Sequence, residues 1–118
     1  MNELDKLRAM LDEAQIPYEN YQEEFSEAAI NILPEHYSGN NKYLKNQIVY
    51  GRFNEIEPGA YNWKIDGVCQ YGSYGADKGL IETYGEFGVD GDDEPLVLNA
   101  EDVFAIIKED WERTHGQN

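Results

Sequence analysis

Leu4, Leu7, Leu11 and Ala14 recur at intervals of three and four residues, with Met10 beside them and charged residues between. That period puts one apolar stripe on a helix over about 2–15. Asn2 stands where an N-cap is needed, and Asp5 follows three residues on in the capping-box position. Glu3 and Asp5 suit the positive end of the helix dipole. Pro17 stops the helix, because Ile16 is pushed toward an extended conformation. IPYENYQ, 16–22, reads as a short edge strand, where a proline at the start is tolerated. Tyr21, Phe25, Ala28, Ala29, Ile32 and Leu33 return to the helical period and predict a second helix over 22–33. Pro34 closes it, and PEHYSGNNKYLK, 34–45, reads as a loop.

The period then changes to two. NQIVYGR, 46–52, is rich in β-branched and aromatic residues and predicts a strand. EIEPGAY turns on Pro58-Gly59. Tyr61, Trp63, Ile65, Cys69 and Tyr71 alternate with Asn62, Lys64, Asp66 and Gln70, the pattern of a half-buried strand. Asp66-Gly67 reads as a bulge in it, because the alternation keeps its phase across the pair; a two-residue type I′ turn is the alternative. LIETYGEF, 80–87, alternates as well and pairs back through GADKG, 75–79, where Asp77 and Gly79 take turn roles. GVDGDDEP, 88–95, is an acidic loop. The last helix starts at Asn99 with Asp102 in the capping-box position. Its apolar stripe is Val103, Ile106, Ile107 and Trp111, with Phe104 beside them. Glu109 and Arg113 form an i, i+4 pair, and Gly116 is its stop. The expected fold is therefore α+β: an antiparallel sheet of three to four strands with the N- and C-terminal helices packed on it. No repeat or linker divides the chain, so residues 1–118 form one domain.

Charge narrows the partners. Twenty-four acids against nine bases leave −15. Residues 10–41 carry seven acids and no Lys or Arg, and residues 79–107 carry eight and none. Such a chain repels nucleic acid and anionic membrane surfaces. Basic proteins are the electrostatically favoured partners, while the same charge also serves solubility. A single cysteine, Cys69, excludes an internal disulfide and fits a reducing compartment. The N-terminus lacks the basic start and apolar run of a signal peptide. Apolar runs such as Leu96-Val97-Leu98 are too short to cross a membrane.

CQYGSYGADKGLIETYG, 69–85, gathers four glycines, three tyrosines and the cysteine. It lacks the spacing of a P-loop, and G-x-G-x-x-G is absent. It reads better as a hairpin whose tyrosines lie over glycine gaps. Tyr71, Tyr74 and Tyr84 are candidates for an aromatic surface that binds a protein partner, with core packing as the alternative. Cys69 faces inward, which argues against a thiol–imidazole pair with His36 or His115. Asp90, Asp92, Asp93 and Glu94 place four carboxylates in five residues, a candidate site for calcium or magnesium. Gly91 and Pro95 depart from the calcium-loop pattern, so a solvated loop is the alternative. Zinc spacing and G-x-S-x-G are missing. No catalytic residue, cofactor or enzymatic activity is expected.

DKLRAMLDEAQIPYE, NQIVYGR, CQYGSYGADKGLIETYG and LNAEDVFAIIKEDW, taken together, resemble small acidic proteins of phages and prophages of Gram-positive gut bacteria. The resemblance covers most of the chain apart from 34–45. Its motifs carry no assigned chemistry. It implies a bacterial cytoplasmic setting and an accessory role. Two functions follow as expectations: a protein-interaction module that binds a basic protein, blocking a nucleic-acid-binding surface, or a domain that binds a small molecule or a divalent cation.

Overall fold

The computed structural model describes residues 2–32, 42–57 and 60–115; of residues 52–57 and 60–62 it describes the backbone alone. Helix α1 (Glu3–Glu13) is followed by strand β1 (Glu19–Glu24), a short helix α2 (Glu27–Ile32), and strands β2 (Tyr43–Glu57) and β3 (Ala60–Val68). Then come a single 3-10 turn (Ala76–Lys78), strands β4 (Ile81–Tyr84) and β5 (Leu96–Leu98), and helix α3 (Ala100–His115). The sheet is an antiparallel meander of five strands in chain order. The α+β class holds; the strand count is five where three to four were expected. The added strand is β5, whose three residues are too few to display an alternation.

Both terminal helices begin as their sequences dictate. The Asn2 side chain accepts from the Asp5 N–H at 2.9 Å, and that of Asn99 accepts from Asp102 at 2.9 Å. Helix α1 ends by a Schellman motif, two residues ahead of the proline. Gln15 takes a left-handed φ of 59°, its N–H meets the Asp12 carbonyl, and the Ile16 N–H meets that of Leu11. Ile16 is thereby turned into the core.

Leu4, Leu7 and Leu11 of α1 and Ala100, Val103 and Ile107 of α3 pack against Ile48, Tyr50, Ile65 and Ile81 of the sheet. Both helices thus cover one face. Glu3 links them: its carboxylate accepts from the Ala100 N–H at 2.8 Å and pairs with Lys6, which also reaches Glu101. Buried Arg8 fastens β1 to α1 through Asn20, Asp5 and the Tyr21 carbonyl. β1 is an edge strand, as expected, and Glu19, Glu23 and Glu24 give it the charges that discourage edge-to-edge pairing.

Several expectations need correction. β1 runs to Glu24, so it takes the start of the predicted 22–33 helix, and α2 keeps only Glu27–Ile32 with no buried residue. β2 starts at Tyr43, inside the stretch read as a loop. Asp66-Gly67 is not a bulge: the register runs unbroken through it toward both β2 and β4, and the shifts fall at Arg52/Glu55 and Glu55/Glu57. β3 and β4 pair as predicted, but residues 69–80 connect them through the 3-10 turn, with Gly75 and Gly79 left-handed on either side of it. Arg113 reaches Asp110 rather than Glu109. Pro58-Gly59, His36, Gly116 and most of the 34–45 loop lie outside the described residues.

Candidate functional site

The register places one row of side chains across the sheet on the face opposite the helices. Tyr21, Gln47, Val68, Glu82 and Val97 stand side by side on the five strands. Glu19, Val49, Asp66 and Tyr84 form the next row. Period-two alternation sends these residues outward while Ile48, Ile65, Ile81 and Thr83 point to the core. Neither α1 nor α3 packs on this outer face.

Tyr84 belongs to this face, and Tyr74 to the 69–80 connection, where a β-carbon on Gly75 would stand 2.5 Å from the Val97 side chain. Tyr84 is 41% exposed and Tyr74, on the 69–80 connection, is 71% exposed. Partial desolvation first, then Glu82 through its charge and a side-chain hydrogen bond, then Asp66 and Tyr74, push the Tyr84 phenol above its ordinary value. Tyr71 is separate: its ring meets Phe25 edge-on with centroids 5.8 Å apart.

The acidic loop is built differently. The Asp90 carboxylate accepts from the Asp92 and Glu94 N–H groups, and the Asp90 N–H meets the Glu94 carbonyl at 2.9 Å. Asp93 sits at a left-handed φ of 61°. Asp90 therefore shapes the loop, while the carboxylates of Asp92, Asp93 and Glu94 lie in solvent-exposed positions. Among the described residues, no three His, Cys, Asp or Glu side chains are gathered as a metal ion requires.

The residues the sequence reading missed are Asp66 and Glu82. Asp66 accepts from the Gln47 side chain at 2.8 Å. Burial raises its carboxyl above the ordinary range, and Glu82 raises it further against the opposing effects of Gln47 and Lys45. Glu82 is only 5% exposed, and among the described residues its Oε2 has no hydrogen-bond partner. Lys45 is turned over the Tyr21 ring, 5.0 Å from its centroid. The available signal was the alternation itself, which puts Asp66, Glu82 and Tyr84 on one face once β3 and β4 pair.

This arrangement has a stability consequence. The Asp66 carboxyl binds more protons folded than unfolded just above its ordinary value of 3.8, so its contribution falls as pH rises through that window. Asp66→Asn is expected to raise the melting temperature at pH 7, with the gain fading below about pH 4. Thermal melts of both proteins at the two pH values check this; an Asn variant less stable at pH 7 contradicts it.

Elsewhere the chemistry is structural. Cys69 is fully buried, and burial pushes its thiol up to about 11. His115 stacks on Trp111 at the end of α3. Surface hollows flank α3, one of about 180 Å³ lined by Phe87, Ile106, Asp110 and Arg113, and one of about 360 Å³ beside Met10 and Phe104. Among the described residues, no helix is long and apolar enough to cross a membrane. No protein-family model, curated protein or solved structure matches the chain.

Proposed function

We propose that the protein is a protein-interaction module, an accessory protein of phage type, whose outer sheet face binds a basic partner. One observation carries this reading: exposed Tyr84 and Val97 stand beside Asp66 and Glu82 on a face that the two terminal helices leave uncovered, with exposed Tyr74 on the connection that borders Val97. Tyrosines supply contact area at low entropic cost, and they are enriched where proteins meet. The −15 net charge draws a cationic surface toward that face and steers its approach. A basic nucleic-acid-binding surface fits such a face, and its occupation would block the nucleic acid.

The test is affinity capture from nuclease-treated lysate of a Gram-positive gut bacterium. Wild-type protein and a Tyr74→Ser/Tyr84→Ser double variant serve as parallel baits. Wild type is expected to retain one basic protein at low salt and release it at high salt, with the double variant retaining at least about tenfold less. Identical retention by both baits, or no retained protein at any ionic strength, refutes the reading.

A further inference from the structure

We infer that Glu82, Asp66, Tyr84 and Tyr74 form a seat for an arginine side chain of the partner. This rests on the interaction reading and specifies its chemistry. The starting point is Glu82. It lies in the middle of a strand row between Val68 and Val97, almost wholly buried, with one carboxylate oxygen unpartnered. Among the described residues, no Lys or Arg pairs with it. Among them the Tyr84 hydroxyl is the one neighbour that bonds to this carboxylate, and a buried oxygen left without a donor is costly to the fold. A position that demands only packing would hold valine or isoleucine, as the same row does at 68 and 97. The cost is recovered when a donor arrives from outside.

The surroundings select the donor. Asp66 lies diagonally across from Glu82 on the adjoining strand, since Asp66 pairs with Tyr84 and Val68 with Glu82. One Asp66 oxygen takes the Gln47 amide, and the other is left for a second donor. A guanidinium presents five donors in a plane, so one group can serve both carboxylates. Its flat face can stack on a phenol ring; Tyr84 stands opposite Asp66 in the register, and Tyr74 follows on the connection whose Gly75 lies against Val97. An ammonium is a compact, strongly hydrated charge and loses more by entering so dry a place. Tyr74 is mostly exposed, so it can turn aside without giving up core contacts.

The experiment uses the full chain and a short probe. Ac-Gly-Arg-Gly-amide is titrated against 15N-labelled protein, alongside the same peptide with citrulline or lysine in place of arginine. The arginine peptide is expected to shift the amides of residues 65–68 and 81–84 and to saturate. Citrulline removes the charge with little change of shape and should abolish the effect. Lysine should bind at least about tenfold more weakly. Glu82→Gln should weaken the arginine peptide at least about tenfold, the scale of a lost charge-assisted hydrogen bond. Glu82→Gln keeps the side chain's shape and an acceptor for Tyr84, so its melting temperature should hold or rise, which separates lost binding from lost folding. The seat is overturned if Glu82→Gln binds as wild type does, if citrulline or lysine matches arginine, if the shifts map elsewhere, or if nothing binds up to the solubility of the peptide. Saturable binding of calcium or magnesium that Glu82→Gln abolishes would also overturn it, in favour of a cation site. If a captured partner is lost by the tyrosine variant yet held by Glu82→Gln, the interaction reading stands and the arginine seat falls.

Discussion

Asp110→Ala is expected to destabilise the protein by about 3–5 kcal/mol, the cost of removing one member of a buried charge network. For a domain of this size that lowers the melting temperature by roughly 12–20 °C. Asp110 is 3% exposed on the inner side of α3. Its carboxylate accepts from the Tyr50 hydroxyl at 2.7 Å, the Lys64 ammonium at 2.7 Å and the Arg113 guanidinium at 2.8 Å. Tyr50 lies on β2 and Lys64 on β3, so this one side chain holds the helix to two strands. Alanine would take one acceptor from the Lys64 ammonium, largely shielded from water, and remove the acceptor of the Tyr50 hydroxyl. Asp110→Asn keeps an acceptor and should lose less.

The same group predicts a pH dependence. Burial alone would raise the Asp110 carboxyl, but donation from Lys64, Tyr50 and Arg113 outweighs it and holds the group below its ordinary 3.8. Between that lowered value and 3.8 the unfolded chain binds more protons than the folded one, so stability rises with pH. Its contribution is complete above about pH 5 and is lost as pH falls through the lowered value. Chemical denaturation of wild type and Asp110→Asn from pH 7 down to pH 2 checks this. The gap between them should narrow below about pH 4; a constant gap would show that the Asp110 charge is not what holds α3.

The element order was legible because it rests on short-range rules. Asn2 and Asn99 cap helices through bonds only three residues long, and the leucine stripe of α1 depends on nothing outside that helix. What the sequence hid depends on pairing at a distance. β5 is visible only through its partners, Ile81, Glu82 and Thr83. Tyr43–Lys45 look like loop until the antiparallel run with β1 claims them. Asp110 falls ten residues after Ala100 and three after Ile107, on the buried stripe of α3, yet its charge invites an outward placement. Lys64, forty-six residues away, and Tyr50, sixty residues away, make the inward one tolerable. The functional reading was half legible in the same way. The 69–85 segment drew attention through its tyrosines, but Asp66 and Glu82 become a pair only when β3 lies beside β4.

Gly88→Ala should cost about 3 kcal/mol and loosen the β4–β5 end of the sheet before the rest unfolds, at the upper end of what overpacking ordinarily does. Gly88 lies buried in the turn after β4. A β-carbon there would stand 2.7 Å from the Tyr84 nitrogen and closer still to its carbonyl carbon and oxygen. These are backbone atoms of a paired strand, so no side-chain rotation relieves the contact. The Gly88 carbonyl is also committed: it accepts from the buried Thr83 hydroxyl at 2.7 Å and from the Leu96 N–H at 3.2 Å. Displacing it leaves the Thr83 hydroxyl only its longer bond to the Leu96 carbonyl, at 3.2 Å, and weakens the start of β5. Hydrogen exchange should therefore quicken at Leu96 and Leu98 while the amides of α1 stay protected. Gly91→Ala is the control, since a β-carbon there meets nothing within 4 Å and the change should stay within about 0.5 kcal/mol. The distinction reaches the outer face. Tyr84 and Val97 flank Glu82, so a shift of Tyr84 that spares the core would weaken binding of the arginine peptide while α1 and α3 remain folded. Full peptide affinity in a Gly88→Ala protein with a frayed β5 would mean that the seat needs β3, β4 and the 69–80 connection but not β5.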